Sequence, residues 1–381
     1  MMKCISLLFL FLPLTIRAQE KETWINQPQE DWPPIALVNE VLYKNGDSYD
    51  DPSLKEIGYA GTAFLIDTGT DTLAATAKHV LWTAQNHKQH GVSINKDLKQ
   101  WVMHPKGNAE DQVVIGKLIN EDTTEVLMGP ESSILERDWL VFSTKEASPA
   151  MHPLKPRYTP LQPGETVYRI SNPYASEETV IYESRVIRTE GRDIFLETDT
   201  TRLKPGASGS PIIDAQGYLV GIFSSAFGDA RTGQNVEIAV STGYLHDVLQ
   251  GKENLNKPKK SVYDTLYTIA QQAGVEEALA VFRQISADQD SYFTYNLRMA
   301  AQELSRLGNQ FLETGQLTDA VRIFEFNAAR YQSWFSWNDV GRSYQRLGNP
   351  VKAREAYEKS LNLYQNEEAH SALEALTHAT K

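Results

Sequence analysis

From Ile35 to about Thr242 the chain consists of twelve short β-type runs broken by Gly, Asn, Asp and Pro, the first Ile35 to Tyr43 and the last Val236 to Val240. Runs of this length and spacing, with no helical text between them, predict an antiparallel barrel or sandwich. Among them are Gly61 to Asp67, Thr72 to Ala77, Trp101 to His104, Trp139 to Ser143 and Val180 to Arg188. Asp214-Ala215-Gln216-Gly217 reads as a hairpin turn between two of the later ones. Residues 19–34, with Trp24, Trp32 and Pro33-Pro34, read as an irregular segment ahead of the first strand.

Past Tyr244 the text changes. Residues 251–260 are polar, carry Pro258 and read as a linker, so the strand-rich domain spans 35–250 and a helical one 261–381. Within the helical part Leu304, Leu307, Gly308, Phe311, Gly315, Ala320 and Phe324 recur 33 residues later as Trp337, Val340, Gly341, Tyr344, Gly348, Ala353 and Tyr357. Seven matches in one register mark an internal repeat. Gly and Ala belong where paired helices cross closely, and the aromatics fill the space between neighbours. The order resembles the tetratricopeptide repeat, whose usual period is one residue longer. Gly274 to Phe282 reads as a worn earlier copy, and Glu367 to Thr380 as a solvent-facing cap. Trp334, Phe335 and Trp337 read as packing residues.

The chemistry concentrates in Leu203-Lys204-Pro205-Gly206-Ala207-Ser208-Gly209-Ser210-Pro211-Ile212. Acyl transfer needs a hydroxyl with a base beside it and two fixed donors for the developing oxyanion. Gly206 can adopt a backbone conformation closed to other residues, so that its N–H and that of Ser208 aim at one oxygen. Ser208 is the nucleophile candidate; Ser210 is the weaker one, lying two residues further on. Loops of Ser, Gly and Pro are also common turns, so the partners must come from elsewhere in the chain.

A general base is best supplied by a His held on rigid structure. His79 ends the strand text Leu73-Ala74-Ala75-Thr76-Ala77-Lys78, whose small residues let a second barrel approach. His87, His90, His104 and His152 lie in polar or Pro-flanked stretches, and His246, His370 and His378 in helical text. The third member must hold the imidazole tautomer and offset its charge. Asp138 opens the apolar strand Trp139-Leu140-Val141-Phe142, with Glu136 as the alternative. The order His79, Asp138, Ser208, at separations of 59 and 70 residues, completes a known layout with Asp138.

The combination Thr76-Ala77-Lys78-His79, Asp138-Trp139-Leu140-Val141 and Gly206-Ala207-Ser208-Gly209-Ser210-Pro211 resembles a bacterial trypsin-like (chymotrypsin-fold) serine peptidase over about residues 35–250. Thr198-Asp199 ahead of Leu203-Lys204-Pro205-Gly206 is closer to the Deg-type and glutamyl endopeptidase branches. The resemblance implies a double six-stranded antiparallel β-barrel, followed here by the tetratricopeptide-like helical solenoid. It implies catalysis by Ser208, His79 and Asp138, with an oxyanion hole from the Gly206 and Ser208 N–H groups. By alignment from Ser208, Arg202 falls near the floor of the specificity pocket, and Phe223, Ser224, Ser225 and Ala226 near its wall. Glutamyl endopeptidases carry a His where this chain has Phe223, so their specificity is not transferred. We expect Phe223 to narrow the pocket and Arg202 to favour an acidic side chain. The helical repeats stand where Deg proteins usually carry a PDZ domain.

Residues 1–18, with Lys3, an apolar run from Ile5 to Leu14 and Ala18, read as a cleavable secretory signal too short to anchor the mature chain. A secreted or periplasmic location follows, with no stable membrane insertion after signal removal. The single cysteine, Cys4, lies in that signal, which excludes a disulfide scaffold, a thiol nucleophile and a thiolate metal site in the mature chain. Without the signal 35 basic face 49 acidic residues, arguing against nucleic acid or an anionic membrane as partner. No cofactor is expected, and no metal: Asp47, Asp50 and Asp51 beside Gly46 read as a turn rather than a calcium loop. The leading reading is a serine endopeptidase acting on polypeptides, with the repeats docking a protein partner or presenting substrate. The alternative is a non-catalytic binding protein with the barrels as scaffold; an esterase ranks third, since no apolar lid segment is present.

Overall fold

A computed structural model of the chain describes residues 21–44, 49, 52–83, 98–120, 137–146, 149–198, 204–228, 234–252, 259–288 and 291–379. Among them are twelve strands: β1 (Leu37–Tyr43), β2 (Thr62–Asp67), β3 (Thr72–Thr76), β4 (Leu98–Pro105), β5 (Val113–Leu118), β6 (Leu140–Glu146), β7 (Thr166–Ser171), β8 (Val180–Glu190), β9 (Asp193–Glu197), β10 (Pro211–Asp214), β11 (Leu219–Gly228) and β12 (Asn235–Ser241). They close into two antiparallel barrels, β1-β2-β3-β6-β5-β4 and β7-β8-β9-β12-β11-β10, of the same strand order. Closure leaves neither barrel an open edge. Short helices α1 (Pro52–Ile57) and α2 (Val80–Thr83) lie in the first barrel's connections, and α3 (Thr242–Leu249) follows β12.

The small residues of β3 have a packing reason. Ala74, Ala75 and Thr76 are fully buried, and Ala74 and Ala75 pair with Leu65 and Phe64 on one side and Phe142 and Val141 on the other. Trp139 then ties the barrels together. Its ring is fully buried edge-on to Phe64, and its indole N–H donates to the Val240 carbonyl of β12 at 3.2 Å. The residue before it, Asp138, is thereby fixed at the seam.

The segment expected to be irregular forms two single 3-10 turns, Trp24–Asn26 and Gln29–Asp31. Trp24 is buried, with its ring edge-on to Trp32 at 5.2 Å and near His152 at 5.4 Å. The Glu22 N–H donates to Gln216 O at 2.9 Å, so the segment clasps the β10–β11 turn at the end of β10 remote from Ser208. Hairpin β10–β11 turns at residues 215–218, as the Asp-Ala-Gln-Gly text requires.

The helical part comprises α4 (Val262–Ala273), α5 (Val275–Ala287), α6 (Ser291–Thr294), α7 (Ala300–Glu313), α8 (Leu317–Tyr331), α9 (Trp334–Arg346), α10 (Pro350–Leu363) and α11 (Glu367–Ala379). The paired glycines are explained by their partner rings. A Cβ on Gly308 would meet the Phe324 ring at 2.4 Å, and one on Gly341 the Tyr357 ring at 2.7 Å. Each repeat thus presses an aromatic of its second helix onto a bare backbone in its first. Arg298, just ahead of α7, reaches back to Asp193 of β9 at 3.2 Å, with both side chains largely buried. No helix among the described residues is long and apolar enough to cross a membrane.

Candidate active site

Asp138 is fully buried and collects three donors. His79 gives it two, the backbone N–H to Oδ1 at 3.0 Å and ring Nδ1 to Oδ2 at 2.6 Å. The Ser224 hydroxyl donates to the same Oδ2 at 2.5 Å. A carboxylate only accepts, so Nδ1 carries the proton and Nε2 of the neutral ring keeps its lone pair. Burial alone would raise the Asp138 pKa; the adjacent imidazole and these hydrogen bonds outweigh it and hold the carboxyl below its usual range. Burial would likewise lower His79, yet the Asp138 charge and hydrogen bond hold the imidazole above its ordinary value. The ring stands at the end of β3 because the chain turns there into α2: Val80 and Leu81 donate to Ala77 O and Lys78 O and bury their side chains.

The loop before β10 is built around alternating N–H directions. Ala207 N–H donates to Lys204 O at 3.3 Å, Gly209 N–H to Phe223 O at 3.0 Å and Ser210 N–H to Ala207 O at 3.0 Å. The Gly206 and Ser208 N–H groups make no hydrogen bond to a described acceptor, so two donors two residues apart stay open to a ligand oxygen. Pro205 O is held by the Tyr174 N–H at 2.9 Å. Because C=O and N–H point oppositely across a trans peptide, that bond turns the Gly206 N–H the other way. The backbone there has φ +95°, and a Cβ on Gly206 would fall 2.8 Å from the Tyr174 ring.

The two candidate serines separate cleanly. Ser210 is fully buried, and its hydroxyl is committed to Ala207 O at 2.6 Å and Ser171 Oγ at 2.8 Å. Ser208 is half-exposed, and its hydroxyl makes no hydrogen bond to a described group. Backbone contacts on both sides seat the serine loop against the strands next to His79 and Ser224. The Ser208 carbonyl accepts the Thr62 N–H at 2.7 Å, and Gly209 lies so tightly on β3 that a Cβ there would meet Thr76 Oγ1 at 2.6 Å and Ala77 N at 3.0 Å. On the other side Ser210 O accepts from Phe223 N–H, one residue before Ser224.

The residues aligned with a specificity pocket part company. Ser224 turns its hydroxyl to Asp138, a role its place in the sequence did not reveal. Phe223 is buried in the second barrel among Ala207, Val220 and Ala239, with the Arg169 guanidinium 4.6 Å above its ring. Arg169 itself pairs with Glu237 at 2.8 Å. Ser225 and Ala226 are half-buried along β11, and Arg202 and Glu136 lie outside the described residues, as do His87, His90 and Asp47. His104, His152, His246, His370 and His378 stand apart from the site: His104 pairs with Glu40, and the His246 ring lies tilted against Tyr158. Sequence reasoning missed Thr62, whose hydroxyl donates to Gly206 O at 2.8 Å and accepts the Asn172 N–H at 3.0 Å. Among the described residues no three or more His, Cys, Asp or Glu side chains gather as metal ligands would.

Two closed barrels meeting at a buried Asp–His pair, opposite a serine loop with paired open N–H groups, define a protein of the trypsin-like serine peptidase fold. Residues 61–222 match the trypsin-like peptidase domain family and residues 334–367 the tetratricopeptide repeat family. Similar solved structures include the Rv3671c protease of M. tuberculosis in its active form, 15% identical over 65% of this chain and 93% of that one, with a TM-score of 0.38. A serine endoprotease from Yersinia pestis is 17% identical over 57% of this chain and 62% of that one, with a TM-score of 0.36. No curated protein matches the chain.

Proposed function

We propose that the chain is a secreted or periplasmic serine endopeptidase that cleaves polypeptides through an acyl-enzyme, with the helical repeats docking a protein partner or presenting substrate. The observation that carries this reading is the buried Asp138 carboxylate accepting both a ring and a backbone hydrogen bond from His79. Ser208 Oγ attacks the scissile carbonyl carbon while His79 Nε2 takes its proton. The oxyanion forms between the Gly206 and Ser208 N–H groups. Collapse breaks the C–N bond, His79 returns the proton to the leaving amine, and water then attacks the Ser208 ester by the same route. Asp138 stays ionised throughout and offsets the imidazolium charge. The location rests on residues 1–18 alone.

Activated ester substrates test the acyl-enzyme directly. We expect a pre-steady-state burst of about one equivalent of leaving group per chain, as acylation outruns deacylation. A linear trace with no serine-reagent sensitivity would overturn the reading.

The pH profile supplies a second test. Protonated His79 cannot accept the Ser208 proton, so kcat/KM falls as pH drops through its pKa. Since the Asp138 partnership raises that pKa, the acid limb is expected above the range of a free imidazole. A limb at or below that range would contradict the pairing.

A further inference from the structure

The turn that holds Pro205 O is itself held from the other barrel. Pro173-Tyr174-Ala175-Ser176 closes with Ser176 N–H on Pro173 O at 3.2 Å. Lys106, at the β4–β5 turn of the first barrel, brings its ammonium to the carbonyls at both ends of this turn. It donates to Pro173 O at 2.6 Å and to Ser176 O. The ammonium also lies 5.5 Å from the centre of the Tyr59 ring, which meets the Tyr174 ring edge-on at 5.7 Å. The Tyr174 hydroxyl oxygen accepts the Gly61 N–H at 2.9 Å.

We propose that Lys106 is a positioning residue for the Gly206 N–H, acting through the 173–176 turn and the Tyr174–Pro205 hydrogen bond. The inference rests on the peptidase reading above. One ammonium spanning two carbonyls fixes the turn's height over the Pro205-Gly206 peptide. Without it, the Tyr174 N–H can draw back from Pro205 O, and the peptide loses the constraint that aims Gly206 N–H at the oxyanion. The groups facing Lys106 from packed elements are the two carbonyls and the phenols of Tyr59 and Tyr174. Burial pushes Tyr59 up to about 12 and lowers Lys106, so Lys106 loses its proton before Tyr59 does.

The test compares Lys106→Met and Lys106→Arg with the wild-type chain on a peptide substrate, with thermal midpoints as a control for folding. Deleting an oxyanion donor outright costs about 10²–10³ in kcat; displacing one is expected to lower kcat roughly 10- to 100-fold in Lys106→Met with KM unchanged, because a transition-state contact is lost. Lys106→Arg should restore most of kcat, and its alkaline limb should extend to higher pH than the wild type's, since a guanidinium keeps its proton. Wild-type kcat in Lys106→Met, a loss carried by KM, or identical alkaline limbs in the wild type and Lys106→Arg would overturn the proposal. Should Lys106→Met not fold, the limb of Lys106→Arg decides alone. Wild-type turnover that vanishes in Ser208→Ala upholds the underlying reading; absence of wild-type turnover would remove that reading itself, a result distinct from an unaffected Lys106→Met.

Discussion

Replacing Ser208 by Ala is expected to lower kcat about a millionfold while leaving the fold and any binding by the helical repeats intact. The hydroxyl is half-exposed and makes no hydrogen bond to a described group, so its removal should move the thermal midpoint little. Ser210→Ala is the contrasting variant. That hydroxyl is fully buried between Ala207 O and Ser171 Oγ, so its loss should cost stability of about 1–3 kcal/mol. Steady-state hydrolysis of a peptide and a melting curve on both variants check the pair. Hydrolysis that survives Ser208→Ala would end the nucleophile assignment. A wild-type chain as inert as the variant, with partner binding equal in both, is the result expected of a binding protein on a barrel scaffold.

Asp138→Asn should keep the geometry and still lower kcat roughly 10⁴-fold. The reason lies in the direction of one proton. The amide side chain offers an NH₂ where Asp138 Oδ2 now accepts from His79 Nδ1. His79 then turns its lone pair to Nδ1 and its proton to Nε2, where it cannot take the Ser208 proton. The amide oxygen can still accept the His79 backbone N–H, and Ser224 can accept as well as donate, so the seam stays satisfied. The acid limb assigned to His79 should shift down with the loss of the carboxylate. Kinetics across pH, with circular dichroism to confirm folding, read both effects; wild-type kcat in the Asp138→Asn variant would sink the role given to Asp138.

How much of this was legible beforehand can be read from particular residues. Each of the twelve β-type runs corresponds to one strand, because short apolar text between Gly, Asn and Asp turns admits little else. The ends were less visible. β4 starts at Leu98 rather than Trp101 because Leu98 pairs with Tyr43 across a bulge, and β8 runs past Arg188 because Glu190 pairs with Asp193 in a tight hairpin. His79, Asp138 and Ser208 were candidates because each stands near a strand end in distinctive small or apolar text, and of the three the structure joins His79 to Asp138 by hydrogen bonds. The repeat glycines were visible as a register, and the rings lying on them supply the cause.

Thr62, Tyr174 and Ser224 could not be found the same way. Thr62 meets Gly206 from 144 positions away, and Ser224 meets Asp138 from 86. Nothing in a strand's local text marks a hydroxyl whose use is fixed by another barrel. Phe223 shows the same limit in reverse. Alignment put it on a pocket wall, while barrel closure turned the ring inward beneath Arg169, where a cation over an aromatic face is favourable.

The most direct measurement is covalent labelling of the mature protein with a fluorophosphonate, read by intact mass and peptide mapping. One adduct per chain on Ser208, lost in His79→Ala and slowed as pH falls through the His79 titration, is the predicted result. An unlabelled chain, or an adduct on any other serine, would contradict the convergence of Ser208, His79 and Asp138 on which everything else depends.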